Sequence, residues 1–385
     1  MGDFISLQKT IGINVSSEVV HQEEVGYGPP PHNLTFVLED LHGSESSVQG
    51  TLDMTPAVFL AILCLGVALA APTPDYNLDA EWEEWKRNNE RIYSPEEEKQ
   101  RRAVWEENVK LIKQHIVKDG LWMNNFTIEM NEFGDMTGEE MREMMTESSS
   151  LTLRNGKHIQ KRNIKIPSTW DWRKEGYVTP VRSQGRCGAC YAFSVAASIE
   201  GQLFKKTGKL IPLSVQNLMD CSVSYGNSGC NGGKPYTTFQ YVKNNGGLEA
   251  EATYPYEAKV QHCRYRPERS AVKVKRFFVV PKSEDSLMEA LLTHGPIAVA
   301  IDGSHESFSR YRGGMYHEPK CRKDTIDHGL LLVGYGYEGR ESENRKYWLL
   351  KNSYGERWGE KGYMKLPRGQ NNYCGIASYA MYPEL

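Results

Sequence analysis

Two hydrophobic patterns divide residues 166–385. Apolar residues first recur at helical spacing: residues 189–206 carry Ala196, Ile199 and Leu203 on one face and end before Gly208. The same pattern predicts further helices over 214–220, with Ser214 as N-cap, 236–244 and 283–293. Short apolar runs then predict strands over 297–301, 328–335, 347–351 and 363–366. Helices followed by strands indicate an α+β fold with two lobes.

A charged, tryptophan-containing segment, residues 71–165, precedes this part of the chain. Ser94, Pro95 and Glu97 form a capping box, which predicts a helix from this point. One face of that helix is apolar, so we expect it to pack against another element; its residues are Trp105, Val109, Ile112 and Ile116.

A second capping box, Thr137 with Glu140, predicts a short helix. Residues 148–165 begin with three serines and continue as a basic stretch. Such a polar segment predicts an exposed linker that proteases can cut.

The N-terminal residues 1–53 are polar, and we expect them to be an upstream extension without a fold of its own. An apolar run follows Met54 and ends in the pattern Ala68-Leu69-Ala70, which predicts a signal peptide over 54–70. A short buried helix is the alternative. The run is shorter than a membrane span requires.

Composition limits the classes of function. The chain has 385 residues and a net charge of -3, so nothing in the charge favours nucleic acid as a partner. One of its eight cysteines, Cys64, lies in the predicted signal peptide. The odd number that remains predicts three disulfides and one reactive thiol in a secreted protein.

Cys190 is the candidate nucleophile. It lies in the first turn of the helix predicted from residue 189, where unpaired N–H groups favour thiolate over thiol. Gln184, just upstream, has a side-chain amide that can donate to a developing oxyanion. The stretch Cys187-Gly188-Ala189-Cys190-Tyr191 matches C-G-[SA]-C-[WY], a local signature of papain and cathepsin nucleophiles.

A cysteine nucleophile needs a base and a group that orients the base. His328 opens an apolar run, a position where a histidine is more often structural. Its spacing of 138 residues from Cys190 favours the catalytic interpretation. Asn352 follows a second apolar run.

These residues resemble the papain-like cysteine proteases of the cathepsin L branch, and within it the placental cathepsins, from about Met54 to the C-terminus. The resemblance implies a helical left lobe and a β-barrel-like right lobe. It implies an inhibitory prosegment over 71–165 and a mature peptidase over 166–385. The prosegment is indicated by two motifs. The first consists of Glu97, Arg101, Trp105, Asn108 and Ile112. The second consists of Asn131, Phe133 and Asp135, with Glu129 in place of the usual glycine.

The resemblance also implies a cysteine endopeptidase that is made as an inactive proenzyme and needs no metal or cofactor. Asn352 would hold His328, and Gln184 with the Cys190 N–H would hold the oxyanion. The implied partners are polypeptide substrates, cystatin-like inhibitors and its own prosegment. We expect a monomer without a membrane span, in the lysosome or the extracellular space.

Further positions follow from the resemblance alone. The implied disulfides join Cys187 to Cys230, Cys221 to Cys263, and Cys321 to Cys374. Substrate would contact Gly232, Gly233, Lys234, Pro235, Ala300, Ile326 and Tyr379. Asn125 lies in a glycosylation sequon. The chain departs from the family at Tyr191 and Tyr354, where tryptophan is usual, and at Tyr379, where cathepsin L has a small alanine.

Three other interpretations compete. Cys187 and Cys190 form a C-x-x-C, which suits a redox pair or half a zinc site, although the flanking βαβ pattern is missing. Residues 334–339 read G-x-G-x-x-G, but a charged loop and a strand follow where a dinucleotide site needs a helix. A catalytically weak paralogue that binds or inhibits other proteases is the third.

Overall fold

The computed structural model describes residues 37–39, 45–47, 78–121, 126–145, 166–343 and 345–385. They fall into two units, Met1–Tyr76 and Asn77–Leu385. In the first unit, β1 (Val37–Glu39) and β2 (Glu45–Ser47) form an antiparallel pair. The predicted signal peptide, Asn125 and the predicted linker over 148–165 lie outside the described residues.

The second unit begins with the elements of the expected prosegment. They are α1 (Leu78–Asn88), α2 (Pro95–Leu121), β3 (Phe126–Ile128) and α3 (Gly138–Glu143). Trp82 and Trp85 of α1 pack with Trp105 of α2 in a separate aromatic cluster. Helix α1 was not predicted, because its apolar residues are few and lie in a strongly charged stretch.

Both predicted capping boxes lie where the helices begin. The Thr137 hydroxyl accepts from the Glu140 N–H, and the Glu140 carboxylate accepts from the Thr137 N–H, which confirms the start of α3. The Ser94 hydroxyl accepts from the Glu97 N–H at 3.4 Å. The predicted apolar face of α2 is wrong at its end, because Ile116 is 58% exposed. At this end of α2 the neighbouring residue His115 makes the contact instead, with its ring 4.9 Å from the Phe126 ring.

Residues 166–385 form the larger part of this unit. Its helices are α4 (Cys190–Thr207), α5 (Val215–Cys221), α6 (Pro235–Asn245), α7 (Glu284–His294) and α8 (Glu306–Ser309). Its strands are β4 (Trp170–Asp171), β5 (Leu248–Glu249), β6 (Ser270–Val272), β7 (Arg276–Val279), β8 (Ile297–Ile301), β9 (Tyr311–Gly314), β10 (His328–Tyr337), β11 (Lys346–Lys351), β12 (Tyr363–Pro367) and β13 (Ala380–Glu384).

Seven strands make one antiparallel sheet in the order β12-β11-β10-β8-β13-β7, with β4 added on β10. Every residue of β8 is buried, as its uninterrupted apolar run predicts. Helix α4 packs on β8, β10 and β13, and its C-terminal carbonyls are capped by Gly208 in the left-handed conformation. A helical lobe against a sheet lobe is the α+β, papain-like architecture that the sequence predicts.

Three disulfides connect the implied pairs: Cys187 with Cys230, Cys221 with Cys263, and Cys321 with Cys374. The first two lie in the helical lobe, and the third joins the sheet lobe to its surface loop. Among the residues that the structure describes, no helix has both the length and the apolar character needed to span a bilayer.

Candidate active site

Cys190 is the first residue of α4 and is fully buried. Ala189, the N-cap residue, contributes no side-chain hydrogen bond, and the first turn carries no acidic residue. The partial positive charge of the helix N-terminus is therefore not neutralised by a side chain of this turn. This environment stabilises a thiolate at Cys190 relative to a thiol.

Gly329 brings the start of β10 against that helix. A Cβ atom at this position would lie 2.9 Å from the Cys190 carbonyl oxygen and 3.2 Å from the Ser194 hydroxyl. The first distance is shorter than real Cβ contacts, so only glycine permits this approach. The residue before it, His328, is thereby held beside the first turn of α4.

The hydrogen bonds of His328 define its tautomer. Its Nε2 lies 2.8 Å from Oδ1 of Asn352, and the same Oδ1 accepts from the Ser353 N–H at 2.8 Å. Since a backbone N–H can only donate, the atom between the two groups is the amide oxygen. Nε2 of His328 must then carry the proton. Nδ1, which is buried and has no hydrogen-bond partner, is left as the basic nitrogen.

Burial lowers the pKa of His328 to about 4, against the hydrogen bond that its ring donates to Asn352 and the charge of Asp327, which both raise it. Burial also raises the pKa of Asp327 to about 6, although the Gly303 N–H donates to its carboxylate at 2.8 Å. The covered site thus favours a neutral imidazole.

Gln184 connects the helical lobe to the Asn352 segment. Its Oε1 accepts from the Ser353 hydroxyl at 2.5 Å, and its backbone N–H donates to the Ser353 carbonyl at 2.7 Å. The Ser353 contact places the amide nitrogen on the opposite side, where one N–H donates to the Cys187 carbonyl at 2.7 Å. The amide nitrogen carries a second N–H, which can donate to another acceptor.

Tyr354 takes the place of the usual tryptophan beside the His328–Asn352 pair. Its ring is buried and tilted against the His328 ring, with centroids 5.0 Å apart. Trp358 and Phe308 pack edge-on against the same tyrosine. The aromatic shield is therefore complete with the smaller ring.

Residues 126–145, the covering segment, lie over this site. The Phe133 ring lies 4.8 Å from the Tyr354 ring, and the Tyr354 hydroxyl contacts the Met145 sulfur at 3.9 Å. The same segment also packs against Gly188, two residues before Cys190: a Cβ at Gly188 would lie 2.9 Å from the Met144 carbonyl oxygen. Both methionines are buried, so water is excluded from the cleft at this point.

An ion pair holds the covering segment next to Cys187. The fully buried carboxylate of Asp135 accepts from Arg186 Nη2 at 2.6 and 2.5 Å, and also from the Tyr93 hydroxyl. Asn108 of α2 donates to the carbonyl of Gly134 at 2.7 Å. Two of the motif residues that carry the prosegment resemblance are thus used to shape the turn that enters the cleft.

The expected specificity pocket is partly assembled. Tyr379 and Ala300 are buried in one apolar cluster, with Ile326 packed against it. The Tyr379 hydroxyl accepts from the Tyr236 N–H at 3.2 Å, which fixes the ring. The ring does not swing out to solvent: it is 1% exposed. Lys234 and Pro235 immediately precede this contact.

The expected substrate-binding loop lies on the nucleophile's turn. The Gly188 N–H donates to the Cys230 carbonyl at 2.7 Å, next to the disulfide of Cys230. A Cβ at Gly233 would lie 2.7 Å from the Tyr191 ring, so this position requires glycine. Gly232 has φ 99°, a conformation that glycine adopts without strain.

One further cluster has metal-ligand side chains, namely Asp302, His305 and Cys321. The Cys321 sulfur is bonded to Cys374, so it cannot ligate a metal as a thiolate. Two ligand atoms remain, and we assign no metal to this cluster.

Sequence reasoning missed Ser353, which orients both the Asn352 and the Gln184 amides. No pattern distinguishes it from other serines. It also missed Gly329, although a glycine directly after the candidate base in Asp327-His328-Gly329 was a usable signal of close backbone approach.

Comparison with known proteins assigns this geometry to a family. The sequence profile of the papain family cysteine protease matches residues 166–384. The chain belongs to the papain family. The profile of the cathepsin propeptide inhibitor domain matches residues 82–141, which contain α2 and β3 together with parts of α1 and α3.

Individual relatives of this papain-family chain are cathepsins. Cathepsin 7 of Mus musculus is 85% identical over 332 residues, 86% of this chain and all of that protein. Cathepsin R of Mus musculus is 56% identical over 334 residues, with the same coverage. Procathepsin L of Rattus norvegicus is 50% identical over 331 residues, 86% of this chain and 99% of that protein. The predicted relation to cathepsin L-like placental cathepsins is confirmed.

Solved structures agree. Digestive procathepsin L 3 of Tenebrio molitor larval midgut superposes with a TM-score of 0.74 at 37% identity, over 80% of this chain and 99% of that one. A recombinant stem bromelain precursor gives a TM-score of 0.71 at 31% identity, over 80% and 99%. Both are precursors, so the fold that matches includes the covering segment.

Proposed function

We propose that this chain is a cysteine endopeptidase that is made as a proenzyme and activated when its prosegment is removed. The observation that carries the proposal is the fixed tautomer of His328. Asn352 and Ser353 leave its Nδ1 as the base, on a strand that Gly329 packs against the first turn of α4, where Cys190 lies.

The reaction follows from these roles. The Cys190 thiolate attacks the carbonyl carbon of the scissile peptide bond, and His328 gives a proton to the leaving amine. Water then attacks the acyl-enzyme, with His328 as base, and releases the acid product. The second N–H of the Gln184 amide and the Cys190 N–H stabilise the oxyanion.

The prosegment keeps the enzyme inactive in two ways. Phe133, Met144 and Met145 occupy the space that a substrate needs. Their burial of the site also favours neutral His328, whereas the reactive pair needs an imidazolium next to the thiolate. Removal of the segment lets substrate enter the cleft and lets water reach His328.

The domain boundaries are part of the same proposal: a signal peptide over 54–70, a prosegment over 71–165 and a peptidase over 166–385. We further propose a monomer that cystatin-like proteins inhibit, in the lysosome or outside the cell. The propeptide profile over residues 82–141 and the peptidase profile over residues 166–384 support the division into prosegment and peptidase.

The test is covalent labelling of processed enzyme with an epoxide inhibitor selective for papain-like proteases, followed by peptide hydrolysis. We expect one labelled residue, Cys190, and loss of both labelling and hydrolysis in Cys190→Ala. Cleavage inside a protein substrate, mapped by mass spectrometry, distinguishes an endopeptidase from an exopeptidase. A folded, processed protein that neither labels nor hydrolyses peptides would instead support the non-catalytic paralogue.

A further inference from the structure

The prosegment meets the peptidase along a second surface, away from the cleft. Strand β3 pairs antiparallel with β9, and β3 is the strand partner of β9 among the described residues. The Glu129 N–H continues the pairing with a bond of 2.8 Å to the Arg310 carbonyl. The Asn131 side chain donates to the Ser309 carbonyl at 2.7 Å. Without the prosegment, β9 is an open strand edge.

Two arginines lie at this edge, next to Glu360, which accepts from the Gly314 N–H at 3.1 Å and is itself paired with Lys365. Arg312 forms an ion pair with Glu129 of the prosegment. Arg310 is 2% exposed, and its hydrogen bonds within the described residues go to neutral groups: the carbonyl of Glu306, the hydroxyl of Ser309 and the side-chain oxygen of Asn108. The carboxylate of Glu306 attracts it through space, without a direct ion pair. Its Nε is buried without a partner. Among the described residues, no carboxylate hydrogen-bonds to this buried guanidinium, so its lost hydration is compensated only in part.

The segment after β3 is acidic at every third residue, and each acid meets a donor on the peptidase. Glu129 meets Arg312, Glu132 accepts from the Ser183 hydroxyl at 3.1 Å, and Asp135 meets Arg186. Arg312, Ser183 and Arg186 therefore form a track of donors that runs from β9 to the turn just before Cys190. It matches an extended acidic chain in both backbone and charge.

We infer that the processed peptidase binds acidic, extended segments of its protein substrates along β9, in the place that the prosegment strand leaves. This exosite rests on the proposed function, because prosegment removal opens it. Backbone pairing selects an extended polypeptide. Arg310 and Arg312 select an acidic one. A segment docked there reaches Tyr354 within four residues of the Glu129 position, as Phe133 does.

A labelled peptide with the sequence of residues 126–132 tests this inference. It includes β3 and two acids but not Phe133, which lies at the cleft. The full chain is processed, separated from the released prosegment and alkylated at Cys190, and binding is measured by fluorescence anisotropy. We expect saturable binding that weakens with salt. Methylation of the peptide nitrogen at Glu129 should weaken it about fivefold, because one backbone hydrogen bond is lost.

Charge variants complete the test. Glu129→Gln in the peptide and Arg312→Gln in the enzyme should each weaken binding about two- to fivefold. Arg276→Gln is the matched control, because its exposed partner Glu384 lies outside the track; its affinity for the peptide should not change. A thermal melt checks that each variant folds.

The outcomes separate the two proposals. Before alkylation, the same preparation is assayed on a short fluorogenic peptide. Hydrolysis without saturable binding of the probe, or with binding that the N-methyl group does not weaken, would overturn the exosite and leave the proposed function standing. A probe that raises the KM of the short substrate binds in the cleft and would also overturn it. Binding without hydrolysis would count against the proposed function alone.

Discussion

Tyr379 should exclude bulky aromatic side chains from the specificity pocket. To admit a phenylalanine two residues before the scissile bond, the ring must move or be overpacked. Moving it breaks the hydrogen bond with the Tyr236 N–H, which costs about 1 kcal/mol. It also exposes a ring that is 1% exposed, which costs roughly 1.5–3 kcal/mol.

Overpacking the apolar site instead costs about 1–3 kcal/mol. Overpacking thus costs less free energy than moving the ring, so we expect Tyr379 to stay in place and phenylalanine substrates to bind more weakly. At 1.36 kcal/mol per tenfold, kcat/KM for phenylalanine should be roughly 5- to 150-fold below the value for valine.

The assay compares two fluorogenic peptides that differ only in valine or phenylalanine at this position. Wild-type enzyme should prefer valine, and Tyr379→Ala should shift the preference toward phenylalanine. Tyr379→Phe is the matched control, because it keeps the ring volume and loses only the hydroxyl; it should retain the wild-type preference. If wild type prefers phenylalanine and Tyr379→Ala has the same ratio, the tyrosine does not shape the pocket.

Other predictions concern the proenzyme. In the Cys190→Ala proenzyme, ¹⁵N NMR should show His328 neutral, with the proton on Nε2, down to about pH 4. Since its folded-state pKa is depressed, its contribution to stability is lost as pH falls from about 6.5 toward 4; titration near 6.5 would contradict this. Burial opposes the charged form of Glu140, but bonds from the Thr137 N–H and Arg101 lower its pKa on balance. Its contribution should be lost below about pH 4.5, so Glu140→Gln should flatten the acid dependence of prosegment release, measured by gel electrophoresis; an unchanged profile would exclude this role. Phe133→Ala truncates a buried ring, which typically costs about 3–5 kcal/mol, so the prosegment should be held less tightly and processing should become faster; an unchanged time course would show that Phe133 does not retain the prosegment.

Long periodic segments made much of the fold predictable. Strand β8 has the predicted bounds, and α4 differs by one residue at each end. The three-residue strand β3 was not predicted, because so short a run has no detectable period. Its strand character comes from pairing with β9, a tertiary contact that the local sequence does not contain.

The candidate site was predictable where a residue type implies its chemistry. Cys190 and His328 were found by chemical type, position and spacing, and the role of Asn352 by the family resemblance. Ser353 was not, because its contribution is the direction of one N–H and one hydroxyl. Arg310 was not either, since only the fold reveals that this charge is buried.

The hydrogen bond between Gln184 and Ser353 joins residues that are 169 positions apart. Closing such a loop reduces chain entropy before any contact can offset the loss. We therefore expect this link to form late in folding. Until it closes, the nascent chain has a cysteine but neither an oriented base nor a positioned amide. In the proposed peptidase, we therefore expect catalytic competence to appear only after this long-range link has formed.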